Sequence, residues 1–92
     1  MTESPNVTVF EAMNLSRKEL LIGATTLPMS ELIAGFRGAP PSETRGWRFD
    51  EGVAYRSLEF GLNAEDAAAF IRRYAATQRG WRIITLERII GS

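Results

Sequence analysis

The chain has 92 residues, of which 45% are hydrophobic, 10% aromatic and 24% charged, and its 11 basic groups balance its 11 acidic ones. That is the composition of one small globular domain without the one-signed field that steers a protein onto nucleic acid or anionic lipid. The chain has neither Cys nor His, which excludes thiol nucleophiles, imidazole bases, disulfides and Cys/His zinc sites.

Residues 1–6 (MTESPN) are polar and acidic and lack the basic and apolar regions of a signal peptide. No apolar run approaches the roughly 20 residues of a membrane helix, so the expectation is a cytoplasmic protein with no membrane attachment and a disordered tail over 1–6. Residues 7–11 (VTVFE) alternate with β-branched and aromatic side chains, and after a polar stretch at 14–18 a second apolar run covers 20–24. This predicts a β-hairpin. Met29, Leu32, Ile33 and Phe36 then repeat at i, i+3, i+4 and i+7, with Pro28 suited to a first turn and Gly38 just past the end, which predicts a helix of about ten residues.

Residues 38–46 (GAPPSETRG) read as a loop with room for a helical turn after Pro41. Residues 53–60 (VAYRSLEF) have strand character, closed by Gly61, Leu62 and Asn63, and Asn63 is placed to cap a following helix with Asp66 in its first turn. That helix carries an apolar stripe of Ala64, Ala67, Ala68, Ile71, Tyr74 and Ala75, widened by Phe70, while Arg72 and Arg73 face outward. Gly80 is expected to end it through a positive φ, and residues 81–86 (WRIITL) predict a last strand.

The order β-β-α-β-α-β predicts an α+β domain over 7–87: an antiparallel or mixed sheet of about four strands covered by helices. Residues 88–92 are expected to form a tail whose Ile89 and Ile90 look exposed, a hint of a homo-oligomer. Arg45-Gly46-Trp47-Arg48 recurs as Arg79-Gly80-Trp81-Arg82. The flanking segments do not match, so the recurrence reads as glycine punctuation before a Trp that opens the next element.

The hairpin runs Thr8-Val9-Phe10-Glu11-Ala12-Met13-Asn14, then six residues, then Leu21-Ile22-Gly23-Ala24-Thr25. It resembles the opening module of the GIY-YIG nuclease superfamily, in which a Gly-Ile-Tyr strand is followed by Asn and then by Tyr-Ile-Gly-x-Thr. Phe10 falls at the first Tyr, Asn14 at the Asn and Leu21 at the second Tyr, while Ile22, Gly23 and Thr25 are identical. The resemblance implies a GIY-YIG-like fold over about 7–86, with the motif itself confined to 8–25.

Members that cut DNA use a Tyr hydroxyl near a metal-bound water, an Arg on the first helix, a His or second Tyr, and a metal-holding Glu on the later helix. Here Phe10 and Leu21 have no hydroxyl. The Arg position falls at about Ser30 or Glu31, the Glu position at about Phe70 or Ile71, and the chain has no His. The resemblance therefore implies a module without catalytic residues, cofactor or metal that binds nucleic acid or a protein partner.

Two further readings remain open. A relocated metal-dependent nuclease would draw on Tyr55 or Tyr74, on Arg37 at the end of the first helix, and on acids such as Asp50, Glu51, Glu59, Glu65 and Asp66. An assembly domain unrelated to nucleases needs none of these. For nucleic acid, the candidate contacts are Arg37, Arg45, Trp47, Arg48, Arg79 and Arg82, an Arg-plus-aromatic set of the kind that stacks bases and grips phosphates; Arg56 and Trp81 can join it. Each Trp can equally anchor a loop. Gly35 and Gly38 lack the spacing and Lys of a P-loop.

Overall fold

A computed structural model describes residues 6–32, 42–44, 47–50, 53–86 and 88–91, and for 42–44 and 47–50 the backbone only. The strands are β1 (Val7–Asn14), β2 (Glu19–Thr25), β3 (Ser42–Thr44), β4 (Trp47–Asp50), β5 (Val53–Leu62) and β6 (Arg82–Thr85). Two helical elements accompany them: α1, described over residues 29–32, and α2 (Ala64–Thr77). The α+β class stands, with a sheet in the order β3-β4-β5-β1-β2-β6.

The alternation of β1 and β2 produces the expected hairpin, longer at both ends, with Phe10 opposite Gly23 and Ala12 opposite Leu21. Asn14 closes it: its Oδ1 accepts from Ser16 Oγ at 2.9 Å and from the Arg17 backbone N–H at 3.2 Å. This is the local side-chain turn that Asn favours. β5 runs antiparallel along the other side of β1, with two register shifts near Val9. Gly61, at φ 72°, supplies the backbone freedom that an irregularity at that end of β5 needs. β6 joins the far side of β2 in parallel, so the sheet is mixed.

Alternation puts Val7, Val9, Glu11 and Met13 on one face of β1, and Leu20, Ile22 and Ala24 on the same face of β2. Helix α2 covers this face with Ala67 and Ile71, and Phe70, Tyr74, Trp81, Ile83 and Ile89 pack around them. Asn63 caps α2 as expected, its Oδ1 accepting from Asp66 N at 2.8 Å. On the opposite face, Ala12 of β1 and Met29 of α1 pack against the buried pair Val53 and Tyr55. The Leu32 N–H donates to the Pro28 carbonyl at 3.0 Å, which starts that helix at Pro28.

Several expectations need correction. Beyond the expected mixed sheet of four strands, β5, β1, β2 and β6, the short antiparallel pair β3 and β4 extends it past β5. Residues 42–44, expected in a loop with room for a helical turn, are strand, since the polar Ser-Glu-Thr needs only an edge position. Helix α2 ends at Thr77, with Gln78 N–H donating to the Ala75 carbonyl at 3.2 Å; Gly80, at φ 83°, turns the chain into β6 instead of capping the helix. Ala64 and Ala68 are exposed, because the apolar stripe of α2 is wider than the surface the sheet offers it.

The expected C-terminal tail is part of the fold. Ile90 N–H donates to Ala24 O at 2.9 Å, Thr26 N–H donates to Ile90 O at 3.0 Å, and both Ile89 and Ile90 are half-buried. No described helix is long and apolar enough to cross a membrane. Ile33, Phe36, Arg37 and the rest of the expected helix and loop through Pro41 lie outside the described residues, as do Arg45 and Gly46.

Candidate functional site

One carboxylate lies inside the core. Glu11 is 1% exposed, on the same face of β1 as Val7 and Val9. An isolated charge there would cost several kcal/mol, so it persists only if paired and hydrogen-bonded. Arg56, its partner in the β1–β5 register, donates to Oε1 from Nε at 3.1 Å and from Nη2 at 2.6 Å. The Tyr74 hydroxyl, reaching down from α2, donates to Oε2 at 2.6 Å. Three elements thus meet at one carboxylate.

Burial pushes the Tyr74 phenol above its ordinary value, and the Glu11 carboxylate that accepts its proton pushes the same way, against the opposing Arg56 charge. Burial acts to lower Arg56, but the hydrogen bond and charge of Glu11 outweigh it and hold the guanidinium more firmly protonated. A phenol shifted upward and already donating to a carboxylate is a poor general base near neutral pH. The cluster binds α2 to the sheet. The sequence offers Arg56 as a member of an Arg-plus-aromatic surface and Tyr74 as part of an apolar stripe. The available signal was the acid at an inward position of an alternating strand.

The residues that carry the family resemblance have packing roles. Phe10 is fully buried, its ring lying over Gly23, where an added Cβ would come within 3.2 Å of the ring and 2.8 Å of Leu86 Cδ1. Ile22 is buried beneath α2. The Thr25 hydroxyl, also fully buried, donates to Ile90 O and accepts from Leu27 N–H, both at 3.0 Å. Asn14 closes the turn. Leu21, opposite Ala12, stands diagonal to Phe10 on the same face.

That face holds a groove of about 290 Å³ across β5, β1, β2 and β6. Ala12, Leu21, Val53 and Ile84 give it an apolar floor, with Asn14, Glu19 and Tyr55 completing the wall. Tyr55, whose exposure the sequence left open, is 3% exposed, whereas Ile84 is 37% exposed. Glu19 pairs in register with Arg82 of β6, and Arg17 approaches the Glu19 carboxylate at 3.8 Å. Among the described residues that line the groove, Glu19 carries the one charge.

Of the expected nucleic-acid contacts, those that the structure describes lie on or next to different strands. Arg37 and Arg45 lie outside the described residues, and Trp47 and Arg48 are placed only by the backbone of β4. Arg79 and Arg82 are exposed near the start of β6. β4 and β6 are separated by β5, β1 and β2, four interstrand steps or about 19 Å. Trp81 packs against the α2-side core. Glu59 is on β5 and Glu65 and Asp66 are in the first turn of α2; the Asp50 side chain and Glu51 lie outside the described features. Among the described residues no three acids gather to hold a metal ion.

These features define a small α+β domain with a bound-off core carboxylate and a shallow apolar groove. Set against known proteins, the chain matches no family model, no curated protein and no solved structure.

Proposed function

We propose that the protein is a non-catalytic binding module, similar in its first hairpin to GIY-YIG nucleases, whose groove receives an apolar side chain from a protein partner. The observation that carries this reading is the groove itself. At the position where a nuclease of that family presents its second Tyr hydroxyl, Leu21 lines an apolar floor bordered by Asn14, Glu19 and Tyr55. An apolar centre inside a mixed polar rim is the anatomy of a protein interface. A phosphate backbone would need clustered cations, and no cation is among the described residues that line this groove.

A photocrosslinking residue placed at Ile84 tests the reading in cells of the source organism, with the same residue at exposed Glu59 as control. The expected result is a discrete protein adduct from position 84, absent from position 59 and lost on Leu21→Lys. A parallel assay uses labelled single- and double-stranded DNA and RNA at about 50 and 200 mM salt with magnesium. Salt-sensitive binding that Leu21→Lys leaves unchanged would overturn the protein-partner reading, and magnesium-dependent cleavage would overturn the non-catalytic one.

A further inference from the structure

On the other face of the sheet, the first half of α2 and the C-terminal segment do not close against each other. They leave a cleft of about 440 Å³, within the range of about 300–1,000 Å³ typical of small-ligand pockets. Its interior is apolar, formed by Ala67 and Ile71 of α2, Ala24 of β2, and Leu86 and Ile89 of the C-terminal segment. The exposed Ala64 and Ala68 belong to the same wall.

Among the described residues, the charges lining this cleft are of one sign. Arg72 from α2 and Arg88 from the C-terminal segment both line it, and no acid does among the described residues. Both side chains are exposed, and neither forms an ion pair with a described residue. The two guanidinium groups come from opposite walls and offer the forked donors that match a carboxylate.

We propose that this cleft binds a small anionic amphiphile, a medium-chain carboxylate in size and chemistry, with its apolar body between α2 and the C-terminal segment and its carboxylate between Arg72 and Arg88. Apolar burial supplies affinity, and the arginine pair selects the charged head over a neutral one. The site is independent of the groove on the opposite face.

Decanoate titrated into the full chain and followed by amide NMR is the direct test, with decanol, acetate and phosphatidylglycerol vesicles as comparison arms. Decanoate is expected to saturate with shifts centred on Ala64, Ala68 and Ile89, and to bind about tenfold or more tightly than decanol or acetate. An Arg72→Gln/Arg88→Gln double variant should lose about that factor with an unchanged melting temperature, since both side chains are exposed. Ala68→Phe, which fills the cleft from its exposed rim, should abolish binding of the body. Equal affinity for decanol and decanoate, decanoate binding indifferent to the arginine pair, absence of saturation, or binding to vesicles without binding to free decanoate would each overturn the proposal.

Discussion

The Tyr74 hydroxyl donates to Oε2 of Glu11 across 63 positions of sequence at 2.6 Å, joining α2 to the sheet. Removing it should leave a buried carboxylate short of a donor. Tyr74→Phe is therefore expected to destabilise the domain by about 1.5–3 kcal/mol, the worth of a hydrogen bond to a charged group. Denaturant melts at neutral pH measure it, and a loss under about 0.5 kcal/mol would show that water replaces the phenol.

Arg56 serves the same carboxylate from the other side, with its side chain 41% exposed. Arg56→Met is expected to cost about 2 kcal/mol or more, below the full penalty for a wholly buried pair because solvent reaches the guanidinium. Adding Glu11→Leu should recover part of that loss, since no unpaired charge then remains in the core. A double-mutant cycle reads the coupling, and strict additivity would contradict it.

The upward shift of Tyr74 carries a pH signature. Its ordinary value is 10.0 and the folded value is higher, so the folded state favours the neutral phenol. The corresponding stability is fully present below about pH 10 and is lost as pH rises through the folded value. The stability difference between the wild type and Tyr74→Phe should accordingly be flat from pH 7 to about 9 and shrink above 10. A difference that instead grew with alkaline pH would place the charged phenolate in the folded state.

Gly23 leaves no room for a side chain. In Gly23→Ala the new Cβ would sit 2.8 Å from Leu86 Cδ1 and 3.2 Å from the Phe10 ring. Leu86 can swing aside, but the ring of Phe10 is fully buried, so the expected cost is about 1–3 kcal/mol. Thermal unfolding checks it; a neutral substitution would mean that the ring can shift within its pocket.

Thr25 should tolerate Ser and reject Val. Thr25→Val keeps the shape but strands the Leu27 N–H and removes one donor from the Ile90 carbonyl, which keeps the Thr26 N–H. The expected loss is about 1–3 kcal/mol, accompanied by faster amide exchange at residues 89–90. Unchanged exchange there would show that the C-terminal segment is held without Thr25.

The sequence by itself determined the elements whose forces act between near neighbours. The alternation of residues 7–11 and the Asn14 turn specify the hairpin, because strand faces and Asx turns are settled within a few residues. Asn63 and Asp66 specify the start of α2 for the same reason. Only the tertiary structure decided what depended on distant parts of the chain. β3 and β4 have no pattern of their own and are strands because β5 offers an edge to pair with. The C-terminal isoleucines look like a tail until Ala24 and Thr25 supply backbone partners. Arg56 looks like one of several surface cations until the β1–β5 register sets it opposite Glu11. Ala64 and Ala68 look like core until the sheet proves too narrow to cover them. In each case the deciding interaction joins residues far apart in sequence, and only the assembled sheet brings them within reach.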